Sequence, residues 1–249
     1  MIETEIRVPT RDGEMRTFVV HPSEGGPFPV TFLYMDGIGY REQIRANARR
    51  FAAPGYLVVA PDLFYRSGEE ITVDFSKLAG GGMDSLEGRR FMEVVAAVTP
   101  ERVEQDTAAA LDVVASHSAA DTRSLVCVGY CMGARVALHI AASRDDIRAA
   151  AGIHPGALVT GKPDSPHHDL TSVSGEIYIA FAEQDRTATP ESIDAFRAAM
   201  LEAGVRGTVE RVPGTAHGFA MADLPVYDHD ACERHFERTL DLWHRALVQ

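Results

Sequence analysis

Three cysteines in 249 residues, Cys127, Cys131 and Cys232, are too few for a disulfide framework. No two of them form a C-x-x-C step. Cys127 and Cys131 are separated by three residues, which excludes a zinc knuckle at that point. No run of about 18 apolar residues is present, so no membrane-spanning helix is expected. The opening segment, residues 1–10, has neither the basic stretch nor the apolar stretch of a secretory leader, and the cytoplasm is the expected location. A basic excess is also missing. The 24 Lys and Arg face 36 Asp and Glu, a net charge of -12, which leaves no electrostatic footprint for nucleic acid. Internal repeats, low-complexity stretches and charge blocks are absent as well.

What remains is an ordinary soluble composition in which short β-rich runs alternate with longer helical patterns. The runs Ile2–Val8 and Met15–Val20 flank Arg11, Asp12 and Gly13, a hairpin signal. Strands are then expected at Val30–Met35, Tyr56–Ala60, Arg123–Val128, Arg148–Ile153, Glu176–Ala182 and Gly207–Val212. Helices are expected at Glu42–Ala53, Asp84–Val98, Pro100–Ser116, Met132–Ser143, Pro190–Ala203 and His229–Leu247. Thr99 and Pro100 supply a cap and a first-turn proline. His154–Ser174 reads as loop, and Ser67–Asp84 as a long irregular segment suited to a lid or binding loop. The pattern predicts an α/β fold, a mostly parallel sheet flanked by helices on both faces, in one domain spanning 1–249.

The strongest chemical signal lies at Gly129-Tyr130-Cys131-Met132-Gly133, where a strand runs straight into a helix. This is the nucleophile-elbow pattern Gly-x-nucleophile-x-Gly, with cysteine as the nucleophile. The flanking glycines leave room for a strained turn. The turn sets the thiol near a helix N-terminus, which favours a thiolate. In isolation a cysteine is more often a buried structural residue, and Cys127 and Cys232 are read that way.

The elbow predicts an acid after a later strand and then a histidine near the C-terminus, in that order. Asp185 follows the run Ile177–Ala182, and His217 follows Val209–Val212 within Pro213–Phe219. Glu183 competes with Asp185, which lies deeper in its turn. Backbone amides of Met132 and Gly37, the latter in Asp36-Gly37-Ile38-Gly39, are the expected oxyanion donors.

Taken with Gly55–Arg66 and the His217-Gly218-Phe219 step, these segments resemble the dienelactone hydrolase family along nearly the whole chain, and so the α/β-hydrolase fold. The resemblance implies a carboxymethylenebutenolidase-type reaction, in which a cysteine opens a lactone and the acyl-enzyme is hydrolysed. It implies Cys131, Asp185 and His217 as the triad, with no metal and no organic cofactor. It also implies a thiol-gating acid at Asp36, where the family carries glutamate. In the family an arginine four residues beyond the histidine holds a substrate carboxylate; Met221 stands there in this sequence. Arg66, Arg89 and Arg90 are the candidates for an anion-binding arginine, and Tyr130 and Met221 for further substrate contacts. The substitution at Met221 suggests a less acidic or larger ester or lactone.

His167, His168 and Asp169 lack a third ligand at metal-site spacing and read as a solvated loop. Tyr65 and Tyr130 either line a pocket or pack at the sheet edge. Trp243 reads as a core anchor. The expected function is a cysteine-dependent hydrolase of a lactone or small ester, acting on a small molecule as a monomer or small homo-oligomer. The alternatives are a thioesterase or acyl transferase on the same residues, a catalytically silent binding protein, and an oxidant-sensing thiol.

Overall fold

The computed structural model describes residues 1–67, 85–163 and 165–248. Of the segment read as a lid, 68–84 lies outside the described residues. One eight-stranded sheet runs through the molecule in the order β1-β2-β4-β3-β5-β6-β7-β8. The strands are β1 (Ile2–Thr10), β2 (Gly13–His21), β3 (Phe28–Tyr34), β4 (Leu57–Pro61), β5 (Ala120–Tyr130), β6 (Ile147–Ile153), β7 (Glu176–Gln184) and β8 (Gly207–Ala216). β2 is antiparallel to both of its neighbours, and every pairing from β4 through β8 is parallel. The helices are α1 (Glu42–Ala52), α2 (Leu86–Ala96), α3 (Pro100–Ala115), α4 (Met132–Ser143), α5 (Pro190–Glu202) and α6 (His229–Val248). This is the α/β-hydrolase architecture predicted from the sequence.

Local chemistry explains the element ends. Thr10 pairs with Gly13, so Arg11 and Asp12 are the turn residues and Gly13 opens β2 at φ 138°. α2 begins where Ser85 Oγ accepts from the Gly88 amide at 3.0 Å. Thr99 and Pro100 open α3, with the Thr99 hydroxyl accepting from Arg102 N. Between β6 and β7 the segment read as loop holds a 3-10 turn, Pro166–Ser172.

β3, β4 and β6 are buried nearly throughout, and β5 is buried from Leu125 to Tyr130, as parallel strands covered on both faces require. Small residues let α4 come down onto the sheet. A Cβ on Gly152 of β6 would sit 3.2 Å from that of Ala134, and Ala149, Ala150 and Ala151 precede it. Trp243 is fully buried between Phe51 and Tyr56, with ring centroids 4.9 and 5.1 Å away, as a core anchor should be. Cys127 and Cys232 are buried too. Among the described residues no helix is long and apolar enough to cross a membrane.

Candidate active site

The elbow is built as its glycines imply. Cys131 takes φ 52°, ψ -110° between the last residue of β5 and the first of α4. For a non-glycine residue such a conformation costs on the order of 1–3 kcal/mol and persists only when its surroundings enforce it. Here the Cys131 amide donates to Ile153 O at 3.0 Å, and its carbonyl accepts from Ala134 N at 3.2 Å. A Cβ on Gly129 would run into the Gly133 carbonyl, and one on Gly133 into the carbonyls of Tyr34 and Met35. The second crowding also shows that α4 starts hard against the end of β3. The loop carrying Asp36 and Gly37 is thereby brought beside the elbow.

β7 and β8 deliver the other two residues. His217 Nε2 lies 3.0 Å from Cys131 Sγ, and its Nδ1 lies 2.5 Å from Asp185 Oδ2. Asp185 Oδ1 accepts from the amide and hydroxyl of Thr187, at 2.8 and 2.7 Å. The Asp185 side chain is only 2% exposed, whereas Cys131 is half-buried and open to solvent. Burial alone would lift the Asp185 pKa, but the hydrogen bonds from His217 and Thr187 hold it below the ordinary carboxylate range. Burial alone would likewise depress His217. The bonds to Asp185 and Cys131 outweigh it and push His217 up to about 10. Glu183, the competing acid, instead accepts from the Gly214 amide at 2.9 Å.

Met132 opens α4, where a first-turn amide has no intrahelical acceptor. Gly37 sits in the loop after β3 beneath Phe91 of α2; a Cβ there would lie 3.1 Å from that ring. Asp36 is buried and turned toward Arg41. Arg41 Nη1 donates to Oδ1 at 2.7 Å and Nη2 to Oδ2 at 3.0 Å. Burial raises the Asp36 pKa even so. This differs from the gating contact implied for Asp36, since the sulfur's hydrogen-bond partner is His217. Arg41 also donates through Nε and Nη2 to Asp223, at 2.6 and 3.1 Å. One guanidinium therefore ties the Gly37 loop to the segment following His217.

Sequence reasoning did not identify Arg41 in this role, and the Asp36–Arg41 spacing alone does not reveal it. Arg41→Gln leaves a buried carboxylate without its bidentate partner. It is expected to destabilise the fold by about 3 kcal/mol, with partial recovery in Arg41→Gln/Asp36→Asn. Urea denaturation measures this, and a loss under about 1 kcal/mol would count against the clasp.

His154 was also missed. It stands just after β6 at φ 38°, where open α/β sheets present ligand-facing residues. Its ring is buried and edge-on to His217, with centroids 5.2 Å apart, and it contacts Phe219 at 5.4 Å. Neither ring nitrogen has a partner among the described residues. Burial, reinforced by neighbouring histidines, drives its pKa well below the usual value. A neutral imidazole thus backs the one that is held protonated.

Several residues expected to contact substrate are engaged elsewhere or buried. Arg66 is already engaged by two carboxylates. It grips both oxygens of buried Asp106 at 2.7 Å and Asp12 at 2.6 Å. Tyr65 joins the same cluster through Asp106 and Thr10. Tyr130 is fully buried behind the elbow, with its hydroxyl 3.0 Å from His235 Nε2. Met221 is fully buried as well, its sulfur facing Asn47. Both belong to the core because they lie on the side of the sheet packed by α1 and α6. Arg89 and Arg90 are exposed on α2. His167 bonds Ser165, and Asp169 lies against His139.

The dienelactone hydrolase family model matches residues 15–247. The chain belongs to the dienelactone hydrolase family. Among curated relatives, an Escherichia coli K12 protein named "Putative carboxymethylenebutenolidase" is 27% identical over 242 residues, 94% of this chain and 83% of that one. A Methylorubrum extorquens protein of the same name is 26% identical over 250 residues, 98% of this chain and 81% of its own. In structure, a Klebsiella pneumoniae protein titled as a dienelactone hydrolase superposes with a TM-score of 0.86 at 22% identity, covering 98% of each chain. A dienelactone hydrolase-like promiscuous phosphotriesterase from metagenomic libraries gives 0.74 at 18% identity, again over 98% of each. This member of the dienelactone hydrolase family thus shares the fold of both structures.

Proposed function

We propose that this chain is a cysteine-dependent hydrolase of a lactone or small carboxylic ester, working through an acyl-enzyme. The observation that carries the reading is His217, bonded to Cys131 Sγ on one nitrogen and to Asp185 on the other. With its pKa near 10, His217 carries both ring protons at neutral pH and directs one at the sulfur.

The sulfur attacks the carbonyl carbon and forms a C–S bond, while the carbonyl electron pair moves to oxygen. The amides of Gly37 and Met132 receive that oxyanion. On collapse the C–O bond breaks, and the leaving oxygen takes the proton from His217 Nε2. In a lactone the resulting hydroxyl stays tethered to the acyl group. His217, now neutral, takes a proton from water, whose oxygen attacks the thioester. The C–S bond breaks, the sulfur leaves with the electron pair, and the acid is released, with one water consumed per turnover. Asp185 fixes the tautomer of His217 and stabilises its charge. In this reading Asp36 anchors the Gly37 loop through Arg41 rather than taking the thiol proton. The chain acts as one domain, 1–249, on a small molecule and without a cofactor.

A panel of lactones and p-nitrophenyl esters assayed with wild type and Cys131→Ala tests this. Turnover of at least one class, reduced at least a thousandfold in the variant, is expected. Equal rates in the two proteins would remove Cys131 from the chemistry and favour the silent binding protein.

A further inference from the structure

We propose that a groove along α4 binds the acyl part of the substrate, and that it takes an unbranched apolar chain ending in a carboxylate. The inference rests on the hydrolase reading above and names the substrate class for that same site.

The groove has a volume of about 370 Å³ and lies between α4, the α2–α3 corner and the 3-10 turn after β6. It is at the small end of the range for ligand pockets, roughly 300–1,000 Å³. Two residues join it to the reacting centre. Met132, whose amide would be one oxyanion donor, is among the lining residues. Val95 lines the wall and lies 3.8 Å from where a Cβ on Gly37, the other donor, would sit. The groove therefore runs alongside Met132 and is parted from Gly37 by Val95, next to the two residues whose amides would hold the carbonyl oxygen. From there it follows Met132, Val136 and His139, which share one face of α4 over two turns, a run of about 10 Å.

Its walls and rim differ in chemistry. Met92, Val98, Val103 and Val136 make the walls apolar. At the rim stand Arg135 and Lys162, both exposed. Neither has an ion-pair partner among the described residues. Elsewhere in this acidic chain arginines such as Arg41, Arg49 and Arg66 each hold two carboxylates. The carboxylate of Asp169, also on the rim, lies against His139, which holds Glu104 on its other nitrogen. Two cations are thus left to meet an anion at the mouth of an apolar groove. The occupant is the acyl side of the ester because the leaving oxygen must reach His217 Nε2 for its proton, and no residue of the His217 loop lines the groove.

The test compares p-nitrophenyl acetate, p-nitrophenyl hexanoate and mono-p-nitrophenyl hexanedioate on wild type and on Arg135→Gln/Lys162→Gln. Both substitutions fall on exposed side chains, so the fold is not at stake. Wild type is expected to prefer hexanoate to acetate, and hexanedioate to hexanoate, in kcat/KM. The preference for hexanedioate over hexanoate should fall at least tenfold in the double variant, mainly through KM. Calorimetric titration with hexanedioate and hexanoate, which needs no turnover, should show the same charge preference and its loss. Ester turnover without that preference, together with equal binding of the two acids, overturns the proposal and leaves the hydrolase intact. No ester turnover, with hexanedioate still bound through Arg135 and Lys162, keeps the groove and overturns the hydrolase reading.

Discussion

His217→Ala is expected to lower kcat toward a p-nitrophenyl ester by at least a thousandfold, and Asp185→Asn by a hundredfold or more. The two roles explain the difference. Among the described residues His217 is the group bonded to Cys131 Sγ, at 3.0 Å, so in the proposed mechanism its loss removes both the proton donor for the leaving oxygen and the base for water. Asp185 acts through His217, and an asparagine keeps the shape while inverting the hydrogen-bond logic at Nδ1. The pH profile separates them further. Because the folded-state pKa of His217 is raised to about 10, its protonated form is retained through neutral pH and lost only as pH rises through that value. The alkaline limb of kcat/KM for wild type should therefore lie near pH 10, and Asp185→Asn should move it toward neutrality. An unmoved limb, or a loss under tenfold in both variants, would contradict these assignments.

Gly133→Ala is expected to destabilise the protein by at least 3 kcal/mol, a large part of the stability of a typical domain. The added methyl would meet the carbonyl oxygens of Tyr34 and Met35, which are backbone atoms at the buried end of β3 and cannot swing aside. To relieve it, α4 must lift from the sheet, carrying Met132 and Cys131 with it. Gly129→Ala meets the Gly133 carbonyl and should behave alike. Gly161→Ala is the control: among the described residues nothing lies within 4 Å of its added carbon, and a change within about 0.5 kcal/mol is expected. Denaturant midpoints of the three variants decide the matter, and a near-neutral Gly133→Ala would mean that the elbow is not held as tightly as its geometry indicates.

The features legible in the sequence were those with a local cause. Buried parallel strands are continuous apolar runs, so β3, β4, β6 and β7 stood out from their surroundings. The elbow was visible because a sharp strand-to-helix turn needs Gly129 and Gly133 whatever surrounds it. Asp185 and His217 followed from chain order. β5 starts at Ala120, earlier than its apolar run, because Ala120 and Asp121 pair with Phe28 and Pro29 before a register shift. β8 extends to Ala216 through Pro213 and Gly214, which read as a loop.

The partners of charged groups were not legible, since they are set by tertiary packing. Arg66 looked available for a substrate because Asp106, its bidentate partner, lies 40 residues further along. Asp36 looked aimed at the thiol until Arg41 was found on both its oxygens, with Asp223 182 residues beyond on the same guanidinium. His154 gave no pattern at all. Its place beside His217 exists only because β6 and β8 lie on either side of β7.

The central claim is that Cys131 Sγ carries the acyl group. Intact-mass analysis of the protein quenched during p-nitrophenyl ester turnover, on wild type and Cys131→Ala, tests it most directly. The account predicts a transient acyl adduct on wild type, mapped to Cys131 and absent from the variant. Rapid turnover with no adduct at Cys131, or the same adduct on Cys131→Ala, would contradict it.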